Sequence, residues 1–257
     1  MVKKDFTRKI THTYKDYSKL TQKIDSKRGK LSSIVDKKIY SDDILKYKDG
    51  VVKKSKNNYV DNNFINYKHD KFGSLLIFGG IAFVFLLIML RHARNNPLEG
   101  GYLFLTILFS SILIFFIIYY FTMPHKEQIL NQRDGLITIT GFFWAKNITM
   151  PFEDMLFSYS TGGDNMVGAF QLQAVRPKGG PDPFELAGDC YESMSFITWY
   201  MDKNRPLPPG SAFDEFRQQD YERRKAEGFP KPLYPSNIPT PEATKEQQKE
   251  RKAIGGW

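Results

Sequence analysis

Few residues in this chain could do chemistry, and their spacing argues against catalysis. The single cysteine, Cys190, would act as a nucleophile only as a thiolate, which needs a base or a cation close by. The four histidines, His12, His69, His92 and His125, all lie far from it in the sequence. They are also scattered without the spacing that metal ligands share, so no metal or cofactor is expected. Glu153 and Asp154 are a carboxylate pair. Neighbours on a strand or turn point apart, whereas acid–base catalysis needs groups converging on one bond. No Gly-rich phosphate loop, zinc spacing or nucleophile elbow is present. Asn147-Ile148-Thr149 fits the glycosylation triplet, a chance match if this part of the chain is cytoplasmic. These residues predict no catalytic, cofactor-binding or metal site, and Cys190 reads as a small core residue. A lone cysteine also excludes an intramolecular disulfide, and with it the secreted disulfide-scaffold class.

The elements that would hold such residues are set by two apolar blocks. A quarter of the 257 residues are charged and the net charge is +9, values that describe a soluble protein. The average misleads, because the charges lie outside residues 72–90 and 102–123. Each block is uncharged and long enough to cross a bilayer core of about 30 Å as a helix. Pro124 stops the second. The loop 91–101 is too short to fold alone, so the two spans are antiparallel neighbours. Gly73, Gly79, Gly80, Ser110 and Ser111 would permit close helix contact, within the hairpin or in a homo-oligomer. With no ionisable residue inside either span, an ion or proton pathway is not expected.

Residues 1–72 carry 19 Lys plus Arg against 9 Asp plus Glu. The positive-inside rule then places the N-terminus in the cytoplasm, and two spans return the C-terminus there. Residues 2–71 lack the apolar stretch of a cleaved leader. Three readings compete for the basic charge of this segment: a solvated topology determinant, a contact for anionic headgroups through Lys68 and Lys71, and a nucleic-acid site, which no motif supports. Tyr17, Leu20, Ile24 and Leu31 suggest a short helix near 13–28. Asp49-Gly50, between Ile44-Leu-Lys-Tyr and Val51-Val-Lys-Lys, suggests a hairpin.

From residue 125 the pattern becomes short strands. They are expected at Gln128–Asn131, Leu136–Thr140, Phe142–Ile148, Met155–Tyr159, Ala169–Val175 and Phe184–Ala187. Asp189 with Glu192 three residues on predicts a capping box. The helix after it carries Cys190, Met194, Ile197 and Met201 on one face and ends at the prolines of 204–210. Phe213–Glu227 is a charged helix. Residues 229–241 hold five prolines and should be extended, as a linker or laid along a partner or their own domain. Thr240-Pro241 reads as a helix start and Gly255-Gly256 as its stop.

Several strands closed by one capped helix resemble the pleckstrin-homology-like (PH-like) domains that many bacterial membrane proteins carry after transmembrane helices. The resemblance covers about 125–203 and rests on Arg133-Asp-Gly-Leu-Ile, Met150-Pro-Phe-Glu-Asp-Met-Leu and the closing helix. It implies a binding platform. The C-terminal half is also similar to a group of uncharacterised two-span proteins of Gram-negative bacteria, through Phe142-Phe-Trp, Ser195-Phe-Ile-Thr-Trp-Tyr-Met-Asp-Lys-Asn-Arg-Pro-Leu-Pro-Pro-Gly and Asn237-Ile-Pro-Thr-Pro-Glu-Ala-Thr. That likeness implies a neighbourhood of polymorphic-toxin and type VI secretion genes, where immunity proteins are common.

The expected protein is therefore a non-enzymatic, two-span inner-membrane protein with an α+β PH-like module. Its parts are a basic segment (1–71), a span (72–90), a periplasmic loop (91–101), a span (102–123), the module (125–203) and a Pro-rich, helical tail (204–257). Its partners are the bilayer and another protein, a toxin in the alternative reading, with no nucleic acid. Phe143, Trp144 and Tyr159 are the candidate partner contacts, because aromatic anchors carry much of interface energy.

Overall fold

The computed structural model describes residues 4–17, 34–47, 50–52, 55, 58–68, 73, 75–95, 100–159, 171–178, 180–184, 186 and 188–257. In chain order the first elements are β1 (Ile34–Val35), β2 (Asn58–Val60), β3 (Phe64–Lys68), α1 (Gly80–Asn95) and α2 (Gly100–Thr122). There follow β4 (Glu127–Asn131), β5 (Leu136–Ile139), β6 (Ile148–Pro151), β7 (Phe157–Tyr159), β8 (Leu172–Val175) and β9 (Pro181–Pro183). The helices α3 (Cys190–Met201), α4 (Arg217–Ala226) and α5 (Lys245–Gly255) complete the chain. The chain divides into two compact units: residues 1–68, 127–140 and 147–257 form one, and 69–126 with 141–146 form the other.

The first unit holds two antiparallel sheets, one ordered β2-β3-β4-β5-β6 and the other β1-β7-β8-β9. The N-terminal segment is thus no separate part. It supplies β1 to one sheet and β2 and β3 to the other, and β3 pairs with β4 along its length, from Phe64 opposite Asn131 to Lys68 opposite Glu127. The module is built from both sides of the apolar blocks, not from 125–203 alone. Further N-terminal ties run from Arg8 to the Glu127 carboxylate at 2.8 Å and from the Tyr17 hydroxyl to the Val175 carbonyl at 2.7 Å.

α3 is the centre of this unit. Asp189 accepts from the Tyr191 and Glu192 amides, and Glu192 accepts from the Asp189 amide, so the capping box is present. The periodicity predicts one buried face, yet ten of the twelve residues are buried. The helix touches a strand of each sheet, and Ser195 Oγ accepts from the Tyr40 amide at 2.9 Å. A helix buried nearly all round belongs inside a core. Phe196, Trp199 and Tyr200 fill it with Ile65, Leu130, Ile137 and Phe157.

Other local expectations shift by physical cause. Phe142–Ile148 is a turn followed by a strand that starts only at Ile148, because Gly141 allows the chain to reverse there. A short strand lies at Pro181–Pro183, where Asp182 finds buried partners. Of the strand expected at Phe184–Ala187, Phe184 and Leu186 are not in a strand, and Glu185 and Ala187 lie outside the described residues. Asp43–Lys46 is a 3-10 turn, so the hairpin expected at Asp49-Gly50 lacks its first strand; Asp49 itself lies outside the described residues. The helix near 13–28 is described only at Tyr14–Tyr17, as a 3-10 turn. The N-cap of α5 falls four residues later than Thr240, at Thr244, which accepts from the Gln247 amide, and the helix stops at Gly256 in the left-handed conformation.

The second unit is a helical hairpin. A π-helical turn at Leu75–Gly79 leads into α1, and Leu76–Arg94 and Gly100–Thr122 are each long and apolar enough to cross a membrane. The two helices meet through three stacked ring pairs, Phe78–Phe116 at 5.3 Å, Phe85–Phe109 at 4.6 Å and His92–Tyr102 at 4.1 Å. The partners recur every seven residues in opposite directions, two helical turns apart, which keeps one seam facing the other. At Gly73 and Gly80 the hairpin does not use the expected close approach: a Cβ added at either would meet nothing within 4 Å. Ser111 instead donates to the Ile107 carbonyl of its own helix.

Candidate functional site

The residues after α3 form a polar clamp. The Trp199 indole N–H donates to the Pro206 carbonyl at 2.7 Å and turns the chain. Asp202, fully buried, accepts from Arg205 Nε at 3.1 Å and from the Tyr234 amide at 3.1 Å. Arg205 completes its fork on Thr240 Oγ1 at 3.0 Å and the Tyr234 carbonyl at 2.7 Å. The proline-rich stretch 229–241 is therefore laid along its own domain, and Tyr234 stacks edgewise on Phe152.

A second arginine hub locks the tail behind it. Arg224 pairs with Asp220 through Nε at 2.9 Å and grips Glu242 with both terminal nitrogens, at 2.7 and 2.8 Å. Arg251 adds a bond to Glu242 at 3.2 Å and one to the Thr240 carbonyl at 3.1 Å. The Trp257 ring covers the Arg251 guanidinium at 4.0 Å, and its N–H donates to the Phe229 carbonyl. Burial pulls the Arg224 guanidinium down, but the Glu242 and Asp220 carboxylates outweigh it and hold it above the ordinary arginine range. Burial lowers Arg205 and Arg251. Bidentate, charge-assisted bonds of this kind fix geometry as well as energy.

Between the proline-rich stretch and α5 lies a cleft of about 730 Å³, the size of a ligand or peptide-side-chain site. Pro235, Ile238 and Trp257 give it apolar walls, and the exposed Lys231 and Lys252 stand on its rim. Among the described residues neither lysine pairs with a carboxylate. Arg205 and Arg251, by contrast, are held by Asp202 and Glu242. The cleft thus offers apolar contact edged by positive charge. Sequence reasoning passed over it. The prolines were legible, but the return of α5 onto them depends on Glu242 meeting Arg224, a long-range pairing with no local signature.

The residues expected to contact a partner are divided between the two units. Phe143 and Trp144 are exposed in the turn 141–146 of the hairpin unit, against Phe115 and Tyr119. Tyr159 is half-buried in β7 of the other unit, with its ring 6.5 Å from Tyr191. Lys68 is exposed at the end of β3, and Lys71 lies outside the described residues. Cys190 is buried at the start of α3, and burial raises its thiol. Glu153 and Asp154 sit in a 3-10 turn, where Asp154 accepts from the Tyr14 amide at 3.3 Å.

The other buried ion pair, Arg176 with Asp182, is fully occupied by structure. Arg176 donates to the Thr140 carbonyl and hydroxyl as well as to Asp182, and Asp182 also accepts from Gln128 of β4. It stitches β9 of one sheet to the strands of the other. Among the described residues no group of His, Cys, Asp and Glu is placed to hold a metal ion. Comparison with family models, with curated proteins and with solved structures finds no match.

Proposed function

We propose that the chain is a non-catalytic protein of the bacterial inner membrane, whose two-span hairpin anchors a cytoplasmic, PH-like module that binds another protein. The pairing of β3 with β4 carries this reading. Residues 69–126, with both apolar helices, lie between strands whose facing residues are Lys68 and Glu127. Paired residues in an antiparallel ladder have Cα atoms about 5 Å apart, whereas one crossing would separate them by about 30 Å. The chain must leave and return on the same side, which two crossings achieve. Lipid is the natural cover for the hairpin: α2 buries none of its residues, whereas the core helix of a soluble protein is mostly buried. The excess of Lys and Arg before the first span supports the cytoplasm as that side.

Two antiparallel sheets with α3 against a strand of each support the PH-like reading. The cleft edged by Lys231 and Lys252 is the favoured partner site, and its charge suits an acidic segment of the bound protein. A toxin neutralised by this chain is one partner of that kind. Capture from detergent-solubilised membranes tests the proposal. The intact chain should recover a partner that the Lys231→Glu/Lys252→Glu variant loses while remaining folded. Recovery of the same partner by both proteins would remove the cleft from the proposal. Recovery of no partner under several conditions would count against a binding module. Activity of a reporter fused after Trp257 only in the periplasm would overturn the topology.

A further inference from the structure

We propose that Phe142, Phe143 and Trp144 form a wedge that inserts into the lipid of the leaflet at the C-terminal end of α2. Phe142 is 62% exposed, Phe143 40% and Trp144 43%, an unusual concentration of large apolar surface in one turn. The turn is built to hold them there. A Cβ on Gly141 would lie 2.1 Å from the Lys146 carbonyl oxygen, so only glycine lets the two ends of the turn close. Phe143 takes a left-handed φ of +43°, which an aromatic residue adopts at a cost. The buried Lys126 meets that cost in part, since its ammonium donates to the Gly141 carbonyl at 2.7 Å and to the Ala145 carbonyl at 2.5 Å. The Ala145 amide donates to the Phe142 carbonyl at 2.8 Å. Four backbone groups of the turn are thereby satisfied without water, which lowers the cost of entering lipid.

The surroundings identify the occupant. The Trp144 indole N–H donates to Thr122 Oγ1 at 2.8 Å, and Thr122 Oγ1 donates to the Ile118 carbonyl. Trp144 has therefore used its polar handle and presents a ring that is apolar to its environment. Phe143 and Trp144 both reach Tyr119, with ring centroids 5.5 and 5.1 Å away, and both reach Phe115, at 6.0 and 5.5 Å. Phe115 lies seven residues before the helix end, about 10 Å along the axis. The rings thus run beside the apolar length of α2 and continue its exposed surface. The turn's charges are Lys126, whose ammonium is taken up by the Gly141 and Ala145 carbonyls, and the exposed Lys146 at its end. Trp and Tyr favour this zone between headgroups and acyl chains. A soluble partner would meet a patch at the level of the bilayer, so lipid is the better fit. Phe143 and Trp144 then serve the membrane, and the protein-contact role passes to the cleft. The assignment holds only if Gly100–Thr122 crosses the bilayer.

Depth-dependent quenching tests it on the full chain reconstituted in phosphatidylcholine vesicles with brominated acyl chains. Bromines near the carbonyl end should quench tryptophan emission more than bromines near the chain terminus, and Trp144→Phe should remove most of that quenching. Trp199 is buried in the other unit and Trp257 lies on Arg251, so their emission should stay. Retention of the protein in vesicles at alkaline pH, with Trp144 quenched by aqueous iodide and not by bromolipid, would overturn the wedge and leave the spans standing. Release from the vesicles would overturn both. Shielding of Trp144 from both quenchers would mean that protein covers it, which also refutes the wedge.

Discussion

Replacing Glu242 by glutamine isolates the force that holds the tail in place. The substitution keeps the side-chain volume, so it opens no cavity; it removes the charge and turns one acceptor oxygen into a donor that faces an arginine N–H. The Glu242 side chain is 2% exposed and receives Arg224 at 2.7 and 2.8 Å and Arg251 at 3.2 Å. Without its charge, Arg224 depends on Asp220, which it already shares with Arg223, and Arg251 keeps the Thr240 carbonyl and the Trp257 ring. Breaking a buried pair on one side costs about 3–5 kcal/mol. Arg224 keeps Asp220, so the lower end applies, about 3 kcal/mol. Hydrogen exchange in detergent reads this locally. The Phe229 amide donates to the Arg224 carbonyl at 2.8 Å, and the Tyr234 amide to Asp202. Both should exchange about a hundredfold faster in the variant, the equivalent of about 3 kcal/mol. Amides of the β4–β5 ladder, such as those around Leu130 and Ile137, serve as the internal reference and should change less. An acceleration below about threefold at Phe229 and Tyr234, under about 0.7 kcal/mol, would refute the idea that Glu242 closes the clamp.

The remaining predictions concern local features. Asp189→Ala removes two bonds to the first turn of α3 and should cost about 1 kcal/mol, read as a fall of about 2–4 °C in Tm; an unchanged Tm would mean the core alone sets the helix start. Phe196→Ala empties a fully buried site and should cost about 3–5 kcal/mol, measured by denaturant unfolding; a loss under about 1 kcal/mol would place Phe196 outside the core it is seen to fill. At Asp134, burial raises the carboxyl, but hydrogen bonds from Asn131, Arg133 and Thr7 outweigh it and hold it below the ordinary value of 3.8. A depressed folded value stabilises above the unfolded pKa and is lost as pH falls through the folded one. The β4–β5 turn should therefore loosen only below about pH 4, and Asp134→Asn should abolish that acid dependence in the exchange of the Asp134 and Gly135 amides.

How much was legible follows from the range of each interaction. Two uncharged blocks announce membrane-length helices because hydropathy is a sum over neighbours. The capping box at Asp189 and Glu192 is equally local, since both partners lie within one turn. The expected strand at Phe142–Ile148 failed because apolar residues suggest burial, and here the aromatic run sits exposed in a turn held by Lys126. The polar residues of β3, Asn66 and Tyr67 among them, hid a strand in a segment read chiefly for its charge. The cleft was beyond reach because Arg205, Thr240 and Trp257 converge only after the chain has doubled back twice.

By itself, the sequence determined the two apolar helices and the capped helix at Asp189, and it carries no recognisable catalytic motif. These depend on composition, periodicity and caps, which neighbouring residues settle among themselves. Only the tertiary structure decided that the N-terminal segment and the C-terminal half are one folded unit. Strand pairing is a long-range choice, set by which edges can satisfy their backbone groups and bury a shared face. β3 meets β4 across the whole hairpin, and no stretch of either strand alone carries that instruction.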